Sequence, residues 1–262
     1  MTGHGADWKA LRGACDRWSG RAGVRLVTLV ETESSNDVLL RMPPLDSTVA
    51  VCLVRSQSAG RGTRGRVWQA VPDRTLTFSV ARDLPVTVPL EGLSLAVSAA
   101  LVNALARIGL TGPIVKWPND LLIGDRKLGG ILIEGVQVGE RRRVVVGVGI
   151  NLAEGAKVAD RVPACLDELG PARSPIEQAR RAEWVLRQVA RVLRRWPLGR
   201  AKLLRFWQAH DALHGRPVRV CLPGAELTGI AMGITNDGHL IVQTHSGRRI
   251  LAAGEVTVRK TD

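Results

Sequence analysis

Val115-Lys116-Trp117-Pro118-Asn119-Asp120-Leu121-Leu122, followed by Asp125-Arg126-Lys127-Leu128-Gly129-Gly130-Ile131-Leu132-Ile133-Glu134, is the most informative stretch of this 262-residue chain. Lys116 ends a strand-like run that begins at Ile114, so its ammonium can enter a pocket at the strand's end. A carboxylate attacking a nucleotide phosphate brings two anions together, and a fixed cation between them lowers the barrier. Asn119 and Asp120 are expected on the turn that follows, placed for ribose, phosphate or Mg2+ contacts. The competing reading of Asp120 is a turn or helix cap. Lys127 to Glu134 reads as the next strand.

Upstream lies Gly60-Arg61-Gly62-Thr63-Arg64-Gly65-Arg66-Val67-Trp68. Glycines let a backbone approach a ligand and leave amides free for anions, and the arginines between them supply forked donors for phosphate oxygens. Trp68 could stack on a base. Alone, this loop could equally be a nucleic-acid tract of the Arg-Gly type. Downstream, Gly147-Val148-Gly149-Ile150-Asn151 puts small residues where a strand must pass against a ligand.

Outward from these motifs, helical spacing of Trp8, Leu11, Cys15 and Trp18 predicts an opening helix, and Val24 to Val30 a strand. Ser34, Ser35, Asn36 and Asp37 offer N-cap chemistry for a short helix through Leu40. Strands are expected at Thr48 to Val54, Thr75 to Val80 and Arg143 to Asn151. Helices are expected at Leu93 to Ile108, Pro175 to Trp196 and Ala201 to Ala209. After Gly215, short β-branched runs separated by turn pairs such as Asp237-Gly238 predict a small antiparallel barrel. The domain boundary is therefore expected near Arg216, giving residues 1–215 and 216–262.

A formal net charge of +13 points to anionic partners, but two Phe and no Tyr leave little of the stacking surface nucleic-acid binders use. Cys15, Cys52, Cys165 and Cys221 form no CxxC pair, as expected of reduced thiols in a cytoplasmic protein. The most apolar stretch, Leu93 to Leu110, is too polar and short to span a membrane. His210 and His214 stand at i and i+4, but no third ligand follows them, and end-of-helix positions suit them better than a metal site.

Taken in order, Ser34-Ser35-Asn36, Gln57 with the Gly/Arg loop, the Lys116 to Asp120 string, Lys127 to Leu132 and Gly147 to Asn151 resemble biotin–protein ligases. The resemblance runs from about Glu31 to Arg259. It implies an α/β (α+β) fold: a mixed sheet with flanking helices, related to class II synthetases and lipoate ligases, followed by an SH3-like barrel whose last strand includes Gly254-Glu255-Val256. It implies biotin and MgATP as substrates, a biotinyl-adenylate intermediate, and transfer to a lysine of a biotin carboxyl carrier domain. By matching position, Ser34, Ser35, Asn36 and Gln57 would hold the biotin head group, with backbone groups of Gly129, Gly130 and Ile131 lining the pocket. Arg61, Gly62 and Thr63 would close over the carboxyl and phosphate, and Lys116, with Arg61, would act at the reaction centre. Arg64, Arg66, Trp68, Asn119 and Asn151 would serve ATP, with Asp120 as a Mg2+ ligand. Thr63 departs from the family, where Arg is common and is associated with holding the intermediate. The residues before Glu31 are too few for a helix-turn-helix of roughly sixty residues, so sequence-specific DNA binding is not expected. The expected assembly is a monomer or a homodimer. The alternatives are a lipoate or octanoate ligase of the same fold, and a basic nucleic-acid-binding protein.

Overall fold

Asp7 starts the first helix, accepting the Ala10 amide at 2.6 Å, and Gly23 at φ 62 ends it. The computed structural model describes residues 4–46, 48–155, 162–222, 225–252 and 257–260. The first part comprises α1 (Trp8–Ala22), β1 (Arg25–Thr32), α2 (Ser35–Leu40), β2 (Ala50–Gln57), β3 (Thr75–Pro85) and α3 (Leu93–Arg107). It continues with β4 (Ile114–Lys116), β5 (Asp120–Ile123), β6 (Arg126–Val138), β7 (Arg141–Asn151), α4 (Pro175–Arg195) and α5 (Arg200–Gln208). The C-terminal part holds β8 (Pro217–Leu222), β9 (Ala225–Ile234), β10 (Leu240–Thr244), β11 (Gly247–Leu251) and β12 (Thr257–Lys260).

The first seven strands form one mixed sheet in the order β1-β2-β3-β7-β6-β5-β4, parallel only between β1 and β2. Period-two alternation gives it two faces. Val51, Leu53, Leu76, Phe78, Val80, Val146, Val148 and Ile150 point into the main core with residues of α1, α3 and α4. Ala50, Cys52, Val54, Ala81 and Val145 point the other way, beneath Leu39 of α2. On that second face α2 packs over β2, β3 and the adjoining part of β7.

Arg143 anchors α2. It and Asp83 are 0% and 1% exposed. Arg143 donates to both Asp83 carboxylate oxygens at 2.7 and 2.8 Å, to the Leu39 and Pro43 carbonyls at 3.2 and 2.9 Å, and to Met42 O. Asp83 also accepts the Leu45 amide at 2.9 Å. Burial opposes charge on Asp83, but the hydrogen bonds from Arg143 and Leu45 outweigh it and hold the carboxyl below its ordinary range.

Three expectations are corrected. Asp120 does not sit on the turn: it opens β5, a strand the sequence reading missed, while Asn119 does lie on the turn. Ser34 is the N-cap of α2 but makes no side-chain cap; the Gln57 Oε1 accepts the Ser35 amide at 2.7 Å instead. The C-terminal strands form an open antiparallel sheet, β11-β10-β9-β8-β12, and among the described residues no pairing joins β11 to β12 to close a barrel. Gly254, Glu255 and Val256 lie outside the described residues. The remaining elements match expectation to within a few residues, because long periodic segments carry the strongest signal. Among the described residues no helix is long and apolar enough to cross a membrane.

The segment after α5 runs beside β4: Val115 N donates to His210 O at 2.9 Å and Ala212 N to Val115 O at 2.8 Å. His210 stacks on Phe206 with ring centroids 4.2 Å apart, the end-of-helix role expected of it. Between them Asp211 accepts the Leu213 amide on Oδ1, while its buried Oδ2 has no partner among the described residues. Burial pushes its carboxyl up from 3.8 to about 6. A raised carboxyl favours the folded state while neutral, so its contribution is complete below about pH 4 and is lost as pH rises through 6. Asp211→Asn is therefore expected to gain stability over the parent by up to about 3 kcal/mol at pH 8 and little at pH 4. Thermal unfolding across that range checks it; a difference independent of pH would contradict it.

Candidate active site

The register of the main sheet aligns the expected motifs in one row. Lys116 faces Asp120, Asp120 faces Gly130, Gly130 faces Gly149, and Gly149 faces Thr77. Facing residues of antiparallel strands share a sheet face, so this row crosses five strands on the side that α2 packs on. The neighbouring row holds Leu132, Gly147 and Ser79.

Lys127 joins that face through a bulge. Gly129 pairs with Leu121, yet Lys127 pairs with Leu122, so Leu128 is the extra residue. Regular alternation would send Lys127 to the core face with Gly129; the inserted residue turns it onto the face of Asp120. Its Nζ lies 2.6 Å from Asp120 Oδ1 and 5.8 Å from the centroid of the Trp68 ring. Gly130 keeps that bridge possible, because a Cβ there would sit 3.3 Å from Lys127 Nζ and 3.6 Å from Asp120 Oδ1. Lys127 was quoted in the sequence motif but given no role; the bulge that aims it is invisible without the β5–β6 register.

Two glycines of β7 lie directly beneath side chains of the chain itself. A Cβ on Gly149 would collide with the Trp68 ring, and one on Gly147 would lie 2.5 Å from Asn36 Oδ1. Trp68 thus rests across β7, and its buried indole Nε1 and the buried Thr77 hydroxyl of the same row find no partner among the described residues.

The residues expected around the biotin head group do converge. Ser34, Ser35 and Asn36 are buried. Ser35 and Ser79 hydroxyls are 2.7 Å apart, Ser79 donates to Asn36 Oδ1 at 2.5 Å, and Asn36 Nδ2 donates to Glu134 at 2.6 Å. Arg61 forks onto Asp37 at 2.8 and 2.6 Å and reaches both Glu134 oxygens at 3.3 Å. The hydrogen bond from Arg61 holds Asp37 below the ordinary carboxylate range and, in turn, raises the Arg61 guanidinium. Asp37 and Glu134 were given no site role from sequence and Ser79 was not singled out, since each depends on contacts far along the chain.

The other expected residues are placed as follows. Arg66 donates to the Thr63 carbonyl and hydroxyl at 3.3 and 3.2 Å, and Gly62 N to Arg66 O at 2.7 Å, closing the loop on itself. Arg64 sits in the left-handed region at φ 63, inside a short 3-10 turn. Gly129 and Gly130 are paired within the sheet, and the Ile131 backbone is bonded on both sides to Asn119: Ile131 N to Asn119 O, and Asn119 Nδ2 to Ile131 O, each at 3.0 Å. Asn151 Nδ2 ties β7 to Ala164 O at 3.0 Å. Trp117, 1% exposed, donates to Gly238 O at 3.0 Å and fixes the Lys116 hairpin from behind. Among the described residues no group of three or more His, Cys, Asp or Glu could hold a metal. Asp120 is a single carboxylate, which suits a Mg2+ carried in on phosphates rather than a resident ion.

Comparison with known proteins gives a consistent pattern. Residues 30–151 match the model of the biotin/lipoate A/B protein ligase family, and residues 213–259 that of the biotin protein ligase C-terminal domain. The chain is 34% identical over 239 residues to a biotin--[acetyl-CoA-carboxylase] ligase of Paracoccus denitrificans, covering 87% of this chain and 98% of that protein. It is 32% identical over 247 residues to the ligase of that name in Mycobacterium tuberculosis, covering 91% and 90%. The bifunctional ligase/repressor BirA of Escherichia coli is 31% identical over 244 residues, covering 92% of this chain and 76% of its own. Among solved structures, a biotin protein ligase from Aquifex aeolicus in complex with biotin and ATP superposes with a TM-score of 0.73 over 90% of this chain and 99% of that one. At 23% identity that likeness establishes the fold.

Proposed function

The chain belongs to the biotin protein ligase family, and from that premise we propose that it makes biotinyl-5′-adenylate from biotin and MgATP and passes the biotin to a lysine of a biotin carboxyl carrier domain. The observation that carries this reading is the five-strand row from Lys116 through Asp120, Gly130 and Gly149 to Thr77, with Lys127 brought onto Asp120 beside it by the bulge. In this reading residues 1–215 form the catalytic unit and residues 216–262 the C-terminal unit.

In the first half-reaction a biotin carboxylate oxygen bonds to the α-phosphorus of ATP while the bond to the pyrophosphate oxygen breaks. No proton moves, but negative charge crowds at the centre, and the two lysines offset it. Lys127 would exchange Asp120 for the reacting oxygens, and Asp120 would then be available to hold the Mg2+ that accompanies the phosphates. Ser35, Asn36 and Gln57 take the head group, their hydrogen bonds already shared with Ser79 and Glu134. Arg61 holds that cluster through Asp37 and Glu134, and it must release them to act on phosphate itself. Trp68 vacates or shares the Gly149 floor when adenine enters, with Asn119 and Asn151 at the nucleotide end and the Gly62 to Arg66 loop above. In the second half-reaction the carrier lysine's amine attacks the acyl carbon, AMP leaves, and the amine loses a proton. Exclusion of water by the loop protects the mixed anhydride between the two steps.

Pyrophosphate release in the presence of MgATP tests the reading. Release is expected with biotin and not with lipoate or octanoate. Release with lipoate and none with biotin would place the chain with the lipoate ligases of the same fold.

A further inference from the structure

We infer that the groove between α1 and α4 is a second anion site, one that takes a small polyphosphate such as a nucleoside triphosphate. A cavity of about 260 Å³ opens there between Trp18 and Trp184, with Arg187, Arg191, Arg194 and Arg195 around it. α1 and α4 pack on the core face of the main sheet, so the groove lies on the opposite side from Lys127 and Asp120.

Arg187, Arg191 and Arg195 recur every fourth residue and form one column, and like charges at that spacing disfavour the helix. The acids of α4 are already used: Glu177 holds Arg181 at 2.7 Å and Glu183 holds Arg187 at 3.3 Å. Among the described residues no carboxylate pairs with Arg191, Arg194 or Arg195. The usual role of basic residues in a last turn is to serve the helix's free carbonyls. Arg82, from β3, fills that role by donating to the Leu193 and Arg194 carbonyls at 3.1 and 2.5 Å. Arg194 donates to Ala22 O at 3.5 Å. The indole of Trp184 is fixed by its hydrogen bond to Ala104 O at 2.9 Å, so one wall of the groove is set before any ligand arrives.

A merely solvated basic face is convex and fully wetted; here Arg191, Arg194 and Arg195, unpaired with any carboxylate among the described residues, line a concavity together with Trp18 and Trp184. Guanidinium forks match phosphoryl oxygens in geometry as well as charge. An indole offers a face for a base. The volume accommodates a few phosphate groups and is far too small for a nucleic-acid duplex.

The test is calorimetric titration of inorganic triphosphate at about 0.15 M ionic strength, where exposed charges are largely screened. The parent chain, Lys127→Ala and the double variant Arg191→Ala/Arg195→Ala are compared. Binding is expected to persist in Lys127→Ala and to weaken roughly tenfold or more in the double variant. Biotin-dependent pyrophosphate release by the double variant should equal that of the parent. Equal affinity in parent and double variant overturns the proposal. So does binding seen only at low salt, which would make the groove a solvated basic surface. Retention of a duplex oligonucleotide with no triphosphate binding would make it a nucleic-acid contact.

Discussion

Lys127→Ala is expected to lose biotin-dependent pyrophosphate release by about a hundred- to a thousandfold, the usual cost of removing one preorganised charge-stabilising group. The expectation rests on the bulge at Leu128, which aims the ammonium at Asp120 across the Gly130 floor. Lys127→Arg keeps the charge but replaces a compact ammonium with a planar fork, so most of the loss should remain. Lys116→Ala tests the other lysine of the row and should also abolish adenylate formation while the fold survives. Asp120→Asn separates the two: it frees Lys127 without removing it, so its effect should fall on Mg2+ dependence. A folded Lys127→Ala that releases pyrophosphate at the parent rate removes Lys127 from the chemistry. The same result with Lys116→Ala removes Lys116.

The largest expected effect on stability comes from Arg143→Met. Breaking a buried ion pair from one side leaves an uncompensated charge, at about 3–5 kcal/mol. Here the substitution strands Asp83, 1% exposed, and also orphans the carbonyls of Leu39, Met42 and Pro43. A chain of this size should unfold about 10 °C lower. Because those carbonyls close α2, the damage extends to Ser35 and Asn36, and biotin affinity should fall with stability. Adding Asp83→Leu to Arg143→Met removes the stranded charge and should restore much of the loss, since an apolar pair often substitutes for a buried ion pair. A double variant no better than Arg143→Met would mean that the capped carbonyls, and not the Asp83 charge, carry the effect.

The elements with long periodic signals were legible without a structure. α1, α3 and α4 follow from apolar spacing, and β3 and β7 from their apolar runs. β5 escaped because its four residues, Asp120 to Ile123, lie between turn-forming Asn119 and Gly124, and the whole string reads as a turn. The antiparallel C-terminal strands were readable from strand count and turn spacing, but whether their edges meet was not: among the described residues no pairing joins β11 to β12. Of the site, the residue types were readable and their partners were not. Small residues at 147 and 149 signal a close approach, yet only the register reveals that Asn36 and Trp68 make it. Lys116 stood out because it ends a strand, whereas Lys127 needed a one-residue bulge to reach the same face. Glu134 and Asp37 became part of the site only through Arg61, which bridges them from a loop far from Glu134 in the chain.

Calorimetric titration of biotin, with lipoate as the paired ligand, tests the central claim most directly. The account predicts saturable binding of biotin at a single site, weakened by Asn36→Ala, and no binding of lipoate under the same conditions. Equal binding of both acids, or biotin binding untouched by Asn36→Ala, would contradict it.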